Sequence, residues 1–354
     1  MGDVLALQSD LAGAIARRIE ARLAPEDRLS RVRAGSLIPA AVDAYLKGRL
    51  AWHRRTEAGL QEAIDYFRQA IALDPGYAAA YSGMADSYTA LGYFSYIAAT
   101  EAFSAAREAA LKALELDPTL AEPHASLGYV HLYYDWDWIA AEREFREAIA
   151  LNPNYSAAHH WYSVFLTALG RHDEAAVAIA RARELDPLSP AISTDIGFHL
   201  YYSRRYDEAI RHLDAVVAAK PGLPLALLWR GRAVKISSGA DALGDYRRTE
   251  ELMRDWPVTK AAIGHVLGTM GDHVAAESAL RDLYDLSKRR YVTPYGIALV
   301  HAALGDDEAA FEWLNRSIEE RTHWLVWLKL DPRWDSLRSD PRFEAVQRRV
   351  GFPD

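Results

Sequence analysis

Histidines are the residues of this sequence best suited to chemistry, because imidazole binds metals and transfers protons near neutral pH. His124 and His131 lie seven residues apart in one predicted helix, and His159 and His160 begin the next helical stretch. Adjacent helices of this kind can bring three imidazoles together as a metal site. However, the sequence has no His-Glu-x-x-His motif, and no carboxylate at a ligand-like spacing from these histidines. The pattern favours packing or groove-lining roles, and a histidine-based metal-dependent enzyme is the remote alternative.

The other candidates for chemistry are equally weak. The acidic pairs Asp135/Asp137 and Asp306/Asp307 fall at predicted helix–helix turns, where helix capping explains them better than acid–base catalysis. The chain has no glycine-rich phosphate loop ending in Lys-Ser or Lys-Thr, and it has no cysteine. We therefore predict no catalytic residue, no metal and no cofactor.

The elements that position these residues are best seen from Ser156 to Pro187. This stretch predicts two short amphipathic helices that are joined at Gly170. Helices of this length are marginal on their own, so the hairpin must pack on neighbours that resemble it. The sequence supplies them, because Asp173-Glu174-Ala175 recurs as Asp207-Glu208-Ala209, a period of 34 residues.

This period, with its small, aromatic, alanine and proline positions, resembles the tetratricopeptide repeat. The resemblance implies an all-α protein: a right-handed superhelical solenoid of about seven or eight helix-turn-helix pairs with a C-terminal cap. We expect the array over residues 40–320 and the cap over 321–354. The alternative that the residues leave open is a generic helical bundle.

Several stretches depart from the period. Extra residues lie near Trp52–Thr56, in the aromatic stretch Tyr93–Ile97, and near Asp135–Trp138. The sixth repeat is degenerate, with Gly239 and Gly244 where its second helix should begin. In the cap, Trp324 and Trp327 are predicted to be buried against the last helix pair, with a closing helix after Pro341.

The N-terminal residues do not fit the repeat. Val4 to Leu23 predicts one amphipathic helix whose aliphatic stripe repeats every four residues, and residues 25–39 predict a charged linker. The helix, within residues 1–24, should pack on the array or on another copy of the chain. A homo-oligomer formed through this helix is therefore one expectation.

In tetratricopeptide arrays the first helix of each pair lines the inner, concave surface. The resemblance therefore implies a ligand groove in which large aromatics with polar tips provide contact area. Basic residues at both ends favour an acidic segment of a protein or peptide. The candidate groove residues are Tyr45, Arg49, Trp52, His53, Asp86, Tyr129, Tyr133, His160, Phe198, Tyr201, Tyr202, Arg232 and Lys235. The known carboxylate clamp has Lys and Asn where Tyr45 and Arg49 stand, so a chaperone-type ligand is not expected.

A narrower resemblance comes from the segments DVLALQSDLAGAIARRIEARL, AYLKGRLAW, FRQAIALDPGYAAAYSGMADSY and LKLDPRWDSLRSDPRF. They resemble the C-terminal halves of large bacterial signalling proteins. In those proteins an adenylate cyclase, a winged-helix regulator or a Ser/Thr kinase comes first, followed by a small α/β domain and then such repeats. The resemblance implies that the N-terminal helix is a remnant of that α/β domain, and that the chain is a fragment or a stand-alone relative.

Composition narrows the function classes further. The net charge of −8, with both signs interspersed, argues against a nucleic-acid partner. No run of about 18 apolar residues predicts membrane insertion, and no signal peptide is visible at the N-terminus. We expect a cytoplasmic, non-catalytic protein- or peptide-binding module that regulates or scaffolds a signalling protein. A periplasmic location would require an upstream transmembrane segment. A self-assembling scaffold is the main alternative function.

Overall fold

The computed structural model describes residues 38–238 and 242–353. The predicted helix from Val4 to Leu23 lies outside these ranges, as does nearly all of the predicted linker, so both stay predictions. Within the described ranges the chain is helical and contains no strand. No helix found there is both long and apolar enough to cross a membrane.

Sixteen helices in the described ranges form eight consecutive antiparallel pairs. The first four pairs are α1 (Pro39–Trp52) with α2 (Glu57–Leu73), α3 (Ala78–Tyr93) with α4 (Ala99–Leu116), α5 (Ala121–Val130) with α6 (Trp138–Leu151), and α7 (Ser156–Ala168) with α8 (His172–Leu185). The last four are α9 (Pro190–Tyr202) with α10 (Tyr206–Ala219), α11 (Pro224–Ser238) with α12 (Leu243–Leu252), α13 (Pro257–Thr269) with α14 (His273–Ser287), and α15 (Pro294–Leu304) with α16 (Asp307–Glu319). The predicted all-α solenoid of helix pairs is confirmed.

In several pairs a large side chain of the second helix packs against glycines of its own or the next first helix. Phe67 of α2 is fully buried between Gly48 of α1 and Gly83 of α3. A Cβ atom at either glycine would lie 2.6 Å or 2.5 Å from the Phe67 ring. The small residues are therefore required by the close approach of three helices.

The turn inside most pairs needs one residue with a left-handed backbone. Gly170, Gly271 and Gly305 have φ angles of 73°, 83° and 77°, which glycine adopts without a steric penalty. The corresponding turns of other pairs place non-glycine residues in this region: Arg55, Ser95, Trp136 and Arg204. The left-handed turn thus recurs although the glycine does not, which explains why a turn glycine such as Gly170 marks only some of the repeats.

The predicted departures from the period take three forms. The surplus in the second pair forms a loop after Tyr93, and the extra residue near Asp135 is absorbed by a π-helical turn, His131–Asp135. In the sixth pair the second helix, α12, has ten residues. Two of the acids predicted to cap helices do so, because the side chains of Asp137 and Asp306 accept hydrogen bonds from the third backbone N–H that follows each of them.

The C-terminal segment runs through the interior of the superhelix. It comprises a 3-10 turn that we name the inner segment (His323–Trp327), a second 3-10 turn (Pro332–Leu337) and a closing helix, α17 (Pro341–Val350). Trp324 and Trp327 are buried, as predicted. Trp324 stacks on Tyr295 of the last pair, but Trp327 lies against α9 of the fifth pair. The prediction that Trp327 packs on the last pair is therefore wrong.

The superhelix closes on itself within one turn. Trp256 Nε1 donates a hydrogen bond to the backbone oxygen of Phe94 over 2.7 Å, so residues before α13 touch the loop after α3. Arg290 and Glu57 form an ion pair of 2.6 Å, and Trp324 Nε1 donates to Ser95 Oγ over 3.3 Å. These contacts join the first two pairs to the residues that flank the seventh pair and to the inner segment. The inner surface consequently becomes partly enclosed.

Candidate functional site

A cavity of about 1050 Å³ lies on the inner surface of the superhelix. The first helices of pairs one to six contribute to it, together with the loops that close the ring. Its aromatic lining residues are mostly buried, and the principal ones are Trp52, Tyr93, Phe94, Tyr129, Trp161 and Trp256. An enclosed site with aromatic walls and a few polar groups has the usual composition of a ligand-binding pocket.

Five of the thirteen predicted groove residues line this cavity. Arg49 and Trp52 come from α1, His53 follows α1, Tyr129 comes from α5, and His160 comes from α7. The structure thus brings together residues from three first helices on the inner face.

Two further candidates lie behind the cavity wall. Asp86 is only 1% exposed and accepts hydrogen bonds from Arg49 Nη1 (2.9 Å) and Ser126 Oγ (2.8 Å). Burial raises the pKa of the Asp86 carboxyl, and the positive charge of Arg49 opposes that rise. Tyr45 packs on Phe67 with a centroid distance of 5.8 Å, and burial raises its pKa. Neither residue lines the cavity: Asp86 instead holds Arg49, and Tyr45 packs against the core.

Three candidates form what we name the covered strip: Tyr133, Phe198 and Tyr202. Each is at most 1% exposed, because the inner segment lies on them. Trp327 stacks on Tyr202 with a centroid distance of 4.6 Å and meets Phe198 edge-on at 4.9 Å. His323 packs edge-on against Tyr133 at 5.7 Å. The prediction that these residues are open to a ligand is therefore wrong, since the chain's own aromatic residues occupy the surface.

Three further candidates do not line the cavity: Tyr201, Arg232 and Lys235. Tyr201 is fully buried, and its ring contacts those of Tyr202, Tyr206 and Trp229.

Arg232 is 3% exposed, and its guanidinium lies over the Trp229 and Trp324 rings at 4.4 Å and 5.1 Å. Burial and the charge of Arg333 lower the pKa of Arg232. Lys235 is half-buried and does not line the cavity. Of the predicted basic end, Arg232 therefore lies in the packed interior, and Lys235 lies outside the cavity lining.

The most informative residue that sequence reasoning missed is Arg55. Its guanidinium carbon lies 3.5 Å from the centroid of the Trp52 ring, and its side chain faces the cavity. Burial, reinforced by the nearby charge of Arg49, lowers the pKa of Arg55 to about 10, although Asp86 opposes this shift. Among the described residues, no carboxylate forms an ion pair with it. The extra residues near Trp52–Thr56 were the signal in the sequence, but the sequence did not show which of them turns inward.

The other charged groups around the cavity are mostly neutralised in pairs. Arg49 binds Asp86, Arg54 binds Glu62 at 2.8 Å, and Arg290 binds Glu57. His160 Nε2 lies 2.7 Å from Asp195 Oδ2, and both side chains are about 10% exposed. Arg254 has no ion pair in the described ranges, but it is exposed to solvent. Within these ranges Arg55 is a half-buried cation of the lining without an ion pair, and Asp186 is a half-buried carboxylate of the lining without one.

The histidines considered for metal binding have separate partners. His124 Nδ1 lies 2.7 Å from Glu144 Oε2, and His131 Nδ1 lies 2.8 Å from Asp135 Oδ2. His159 Nε2 lies 3.0 Å from the backbone oxygen of Pro153. Over the described ranges, no group of three or more His, Cys, Asp or Glu side chains is placed to hold a metal ion.

Sequence comparison identifies the repeat. Two profiles of the tetratricopeptide repeat match residues 137–194 and 194–251. The transcriptional regulator HilA of Salmonella typhimurium is 27% identical over 167 residues, which are 47% of this chain and 30% of that protein. The HilA protein of Salmonella typhi matches to the same extent. The matched region thus spans about a third of the length of these relatives.

Structural comparison extends the likeness to most of the chain. One chain in the crystal structure of the APC/C hetero-tetramer Cut9–Hcn1 superposes on 92% of this chain. The match covers 60% of that other chain, with a TM-score of 0.59 and 18% identity. Yeast Tom70 superposes on 86% of this chain and 66% of its own, with a TM-score of 0.52 and 17% identity. At these identities the likeness concerns the fold. Together with the profile matches and the eight helix pairs, it shows that residues 137–251 are tetratricopeptide repeats and that the chain has the fold of a tetratricopeptide repeat solenoid.

Proposed function

We propose that the chain is a non-catalytic module that binds a protein or peptide in the cavity and so regulates or scaffolds a bacterial signalling protein. The observation that carries this proposal is the cavity itself, which gathers aromatic side chains from successive first helices together with Arg55, a cation that pairs with no carboxylate of the described residues. Aromatic side chains and arginine dominate the energetics of protein recognition sites.

The charge of the lining favours an acidic ligand segment. Five arginines line the cavity against three acids: Arg49, Arg54, Arg55, Arg254 and Arg290 against Glu57, Asp186 and Asp195. In the described ranges no carboxylate pairs with Arg55 or Arg254. A carboxylate that pairs with a partly desolvated guanidinium gains more than it would in water, because the local dielectric is lower. The overall charge of −8 does not oppose this, because the field at the cavity is set by the nearest charges.

The relatives support the regulatory part of the proposal. The Salmonella proteins that share the matched region are transcriptional regulators, and the match covers only a part of each. Under this proposal the repeats serve as the sensing or docking part of a larger regulatory protein, and their occupancy changes the output of an attached or associated domain.

Selection of ligands from a random peptide library on the immobilised chain tests the proposal. The selected peptides should be enriched in Asp and Glu. Trp52→Ala removes the ring that lies beneath Arg55 and should weaken their binding by about 2 kcal/mol, roughly 30-fold. Arg181→Ala is the control, since Arg181 lies on α8 away from the cavity and is 43% exposed.

Two results would contradict the proposed function. One is a selection that yields no peptide whose binding depends on Trp52. The other is an equal loss of binding in the two variants, which would place the binding surface outside the cavity.

A further inference from the structure

We propose that an exposed stripe of α1 is the docking site for the predicted helix from Val4 to Leu23 of the same chain, which takes the place that a preceding repeat would occupy. We name it the end stripe, and its residues are Ile38, Val42, Leu46 and Leu50. The inference concerns the N-terminal end of the array, so it is independent of the cavity and its ligand.

The first argument is the exposure of the end stripe. Its four aliphatic residues are spaced four apart, so they lie along one side of the helix. Ile38, Leu46 and Leu50 are 42%, 59% and 69% exposed, and Val42 is half-buried. In the described part of the chain, no other helix carries two exposed large hydrophobic residues four positions apart. Such a stripe is stabilised when another apolar surface covers it.

The register of the repeats identifies what this side of a first helix packs against. Gly48 of α1 and Gly197 of α9 are equivalent, because a Cβ atom at either would lie within 2.6 Å of a side chain in the second helix of its own pair. Two residues before and two residues after each glycine, the equivalent positions are Leu46 with Asp195 and Leu50 with His199.

In α9 both positions are covered by α7, the first helix of the preceding pair. Asp195 Oδ2 lies 2.7 Å from His160 Nε2, and His199 Nε2 lies 2.9 Å from Ser163 Oγ. Asp195 and His199 are each only 7% exposed. Counting from Gly128 and Gly231 in the same way, the equivalent residues of α5 and α11 are also buried: Ser126, Val130, Trp229 and Ala233.

No helix pair precedes α1 within the described ranges. The end stripe is therefore the side on which a preceding first helix would lie, and the terminal faces of repeat arrays need a cap.

The chain before α1 contains a segment that matches the end stripe. The predicted helix carries aliphatic residues that are also four apart: Leu7, Leu11, Ile15, Ile19 and Leu23. Ridges of residues four apart interdigitate in the commonest class of helix packing. At about 1.5 Å per residue, this stripe is about 24 Å long and the end stripe about 18 Å. One helix is thus enough to cover the other.

The connection between the two stripes is long enough for this docking. Residues 24–37 can span up to roughly 46 Å at about 3.3 Å per residue. The 14 residues of α1 are about 21 Å long, so the predicted helix can return along α1 in either direction. A second copy of the chain could offer the same stripe, but a tethered segment has the higher effective concentration. The tether therefore favours the chain's own helix.

Hydrogen exchange of the full chain tests the proposal with the double variant Leu46→Gln/Leu50→Gln. Glutamine has nearly the helix propensity of leucine but removes the apolar surface. Residues 4–23 should be protected in the wild type, and in the variant they and α1 should each lose about tenfold of their protection. Leu111→Gln/Leu116→Gln is the matched control, because these leucines are 53% and 36% exposed on α4, and it should change neither region. Unprotected residues 4–23 in the wild type, or protection that survives Leu46→Gln/Leu50→Gln, overturns the proposal.

A reciprocal variant tests whether the two stripes contact each other. Ile15→Gln should reduce protection in α1, and its combination with Leu46→Gln/Leu50→Gln should cost little more than the larger single effect, because both changes remove one contact. Losses that simply add would contradict direct packing.

Sedimentation velocity over about a hundredfold range of concentration distinguishes the chain's own helix from a second copy. A monomer throughout supports the proposal. A dimer that Leu46→Gln/Leu50→Gln returns to a monomer assigns the end stripe to a second copy and overturns it.

Discussion

The cavity and the covered strip are two parts of one inner surface, and both are lined by aromatic residues of first helices. The strip is filled by the chain itself, because Trp327 packs on Phe198 and Tyr202. The cavity is left open, and Arg55 in its lining has no carboxylate partner in the part of the chain that the structure describes. The comparison shows that, in a repeat array, the inner position of a residue does not make it available to a ligand. The path of the terminal segment decides which part of the surface is free.

The two regions also differ in how they are held. The strip is stabilised by ring-on-ring contacts with the inner segment, each worth about 0.5–1.5 kcal/mol beyond the burial of area. The mouth of the cavity is held instead by a few polar contacts between distant pairs, such as Trp256 with Phe94 and Arg290 with Glu57. We therefore expect changes in the strip to act mainly on stability and changes at the cavity to act mainly on binding.

The largest effect is expected from Trp327→Ala, which removes the centre of the inner segment. Loss of a fully buried tryptophan ring should lower the free energy of unfolding by about 3–5 kcal/mol. Because the ring lies on α9, hydrogen exchange should show reduced protection in residues 190–202 as well as in the last pair. Val274→Ala is the control, because Val274 is 77% exposed. Unchanged protection in α9 would mean that the inner segment does not stabilise the strip.

A smaller loss is expected from Asp86→Asn, which removes the charge that neutralises Arg49. The pair is partly exposed on the arginine side, so the free energy of unfolding should fall by about 2–3 kcal/mol, below the range for fully buried pairs. The same change leaves two uncompensated cations at the cavity and should strengthen the binding of acidic peptides. Chemical denaturation and titration measure the two effects. Weaker binding together with lower stability would contradict this expectation. It would show that Asp86 matters for binding because it positions Arg49, and that the extra free positive charge does not compensate for the lost position.

Acid should destabilise the fold through three buried histidines, of which His323 packs on the covered strip. Burial lowers the pKa of His199, His265 and His323 to about 3, well below the ordinary value of about 6.5. The unfolded chain therefore takes up protons below pH 6.5 that the folded chain refuses, and stability declines as the pH falls from 6.5 towards 3. Each histidine contributes up to about 1.4 kcal/mol per pH unit. Between pH 6.5 and 5, His323→Phe should show a shallower decline than the wild type, and equal slopes would contradict the assignment.

The smallest effect is expected at the mouth of the cavity. Trp256→Phe keeps the ring packing but removes the hydrogen bond from Nε1 to the backbone oxygen of Phe94. The free energy of unfolding should fall by about 1 kcal/mol. Ligand exchange should become faster, because the contact that closes the ring is lost. Stopped-flow binding measures the exchange, and an unchanged dissociation rate would show that this contact does not control access.

The helix pairs could be predicted from the sequence because their signals are local. The period of 34 residues, the turn glycine at Gly170 and the small residues beside Phe67 follow from contacts within one pair and its neighbour. Capping by Asp137 was predictable for the same reason. Counting positions along the first helices predicted three of the residues that line the cavity: Arg49, Trp52 and His160.

The division of the inner surface could not be predicted in this way. It depends on contacts between residues that are far apart in the chain, such as Trp327 with Phe198 and Trp256 with Phe94. The repeat pattern describes each pair but does not give the curvature that closes the ring. Arg55 was missed because its turn departs from the period, and only the left-handed backbone at that residue directs the chain so that its side chain lies over Trp52.

The central claim is that ligands reach the cavity while the inner segment keeps the strip covered. Fluorine NMR of the chain labelled with 5-fluorotryptophan tests this claim directly, with resonances assigned by single Trp→Phe variants. On titration with a selected acidic peptide, the resonance of Trp52 should shift and that of Trp327 should stay unchanged. A shift at Trp327 with none at Trp52 would show that the ligand displaces the inner segment and binds the strip, which would contradict the account.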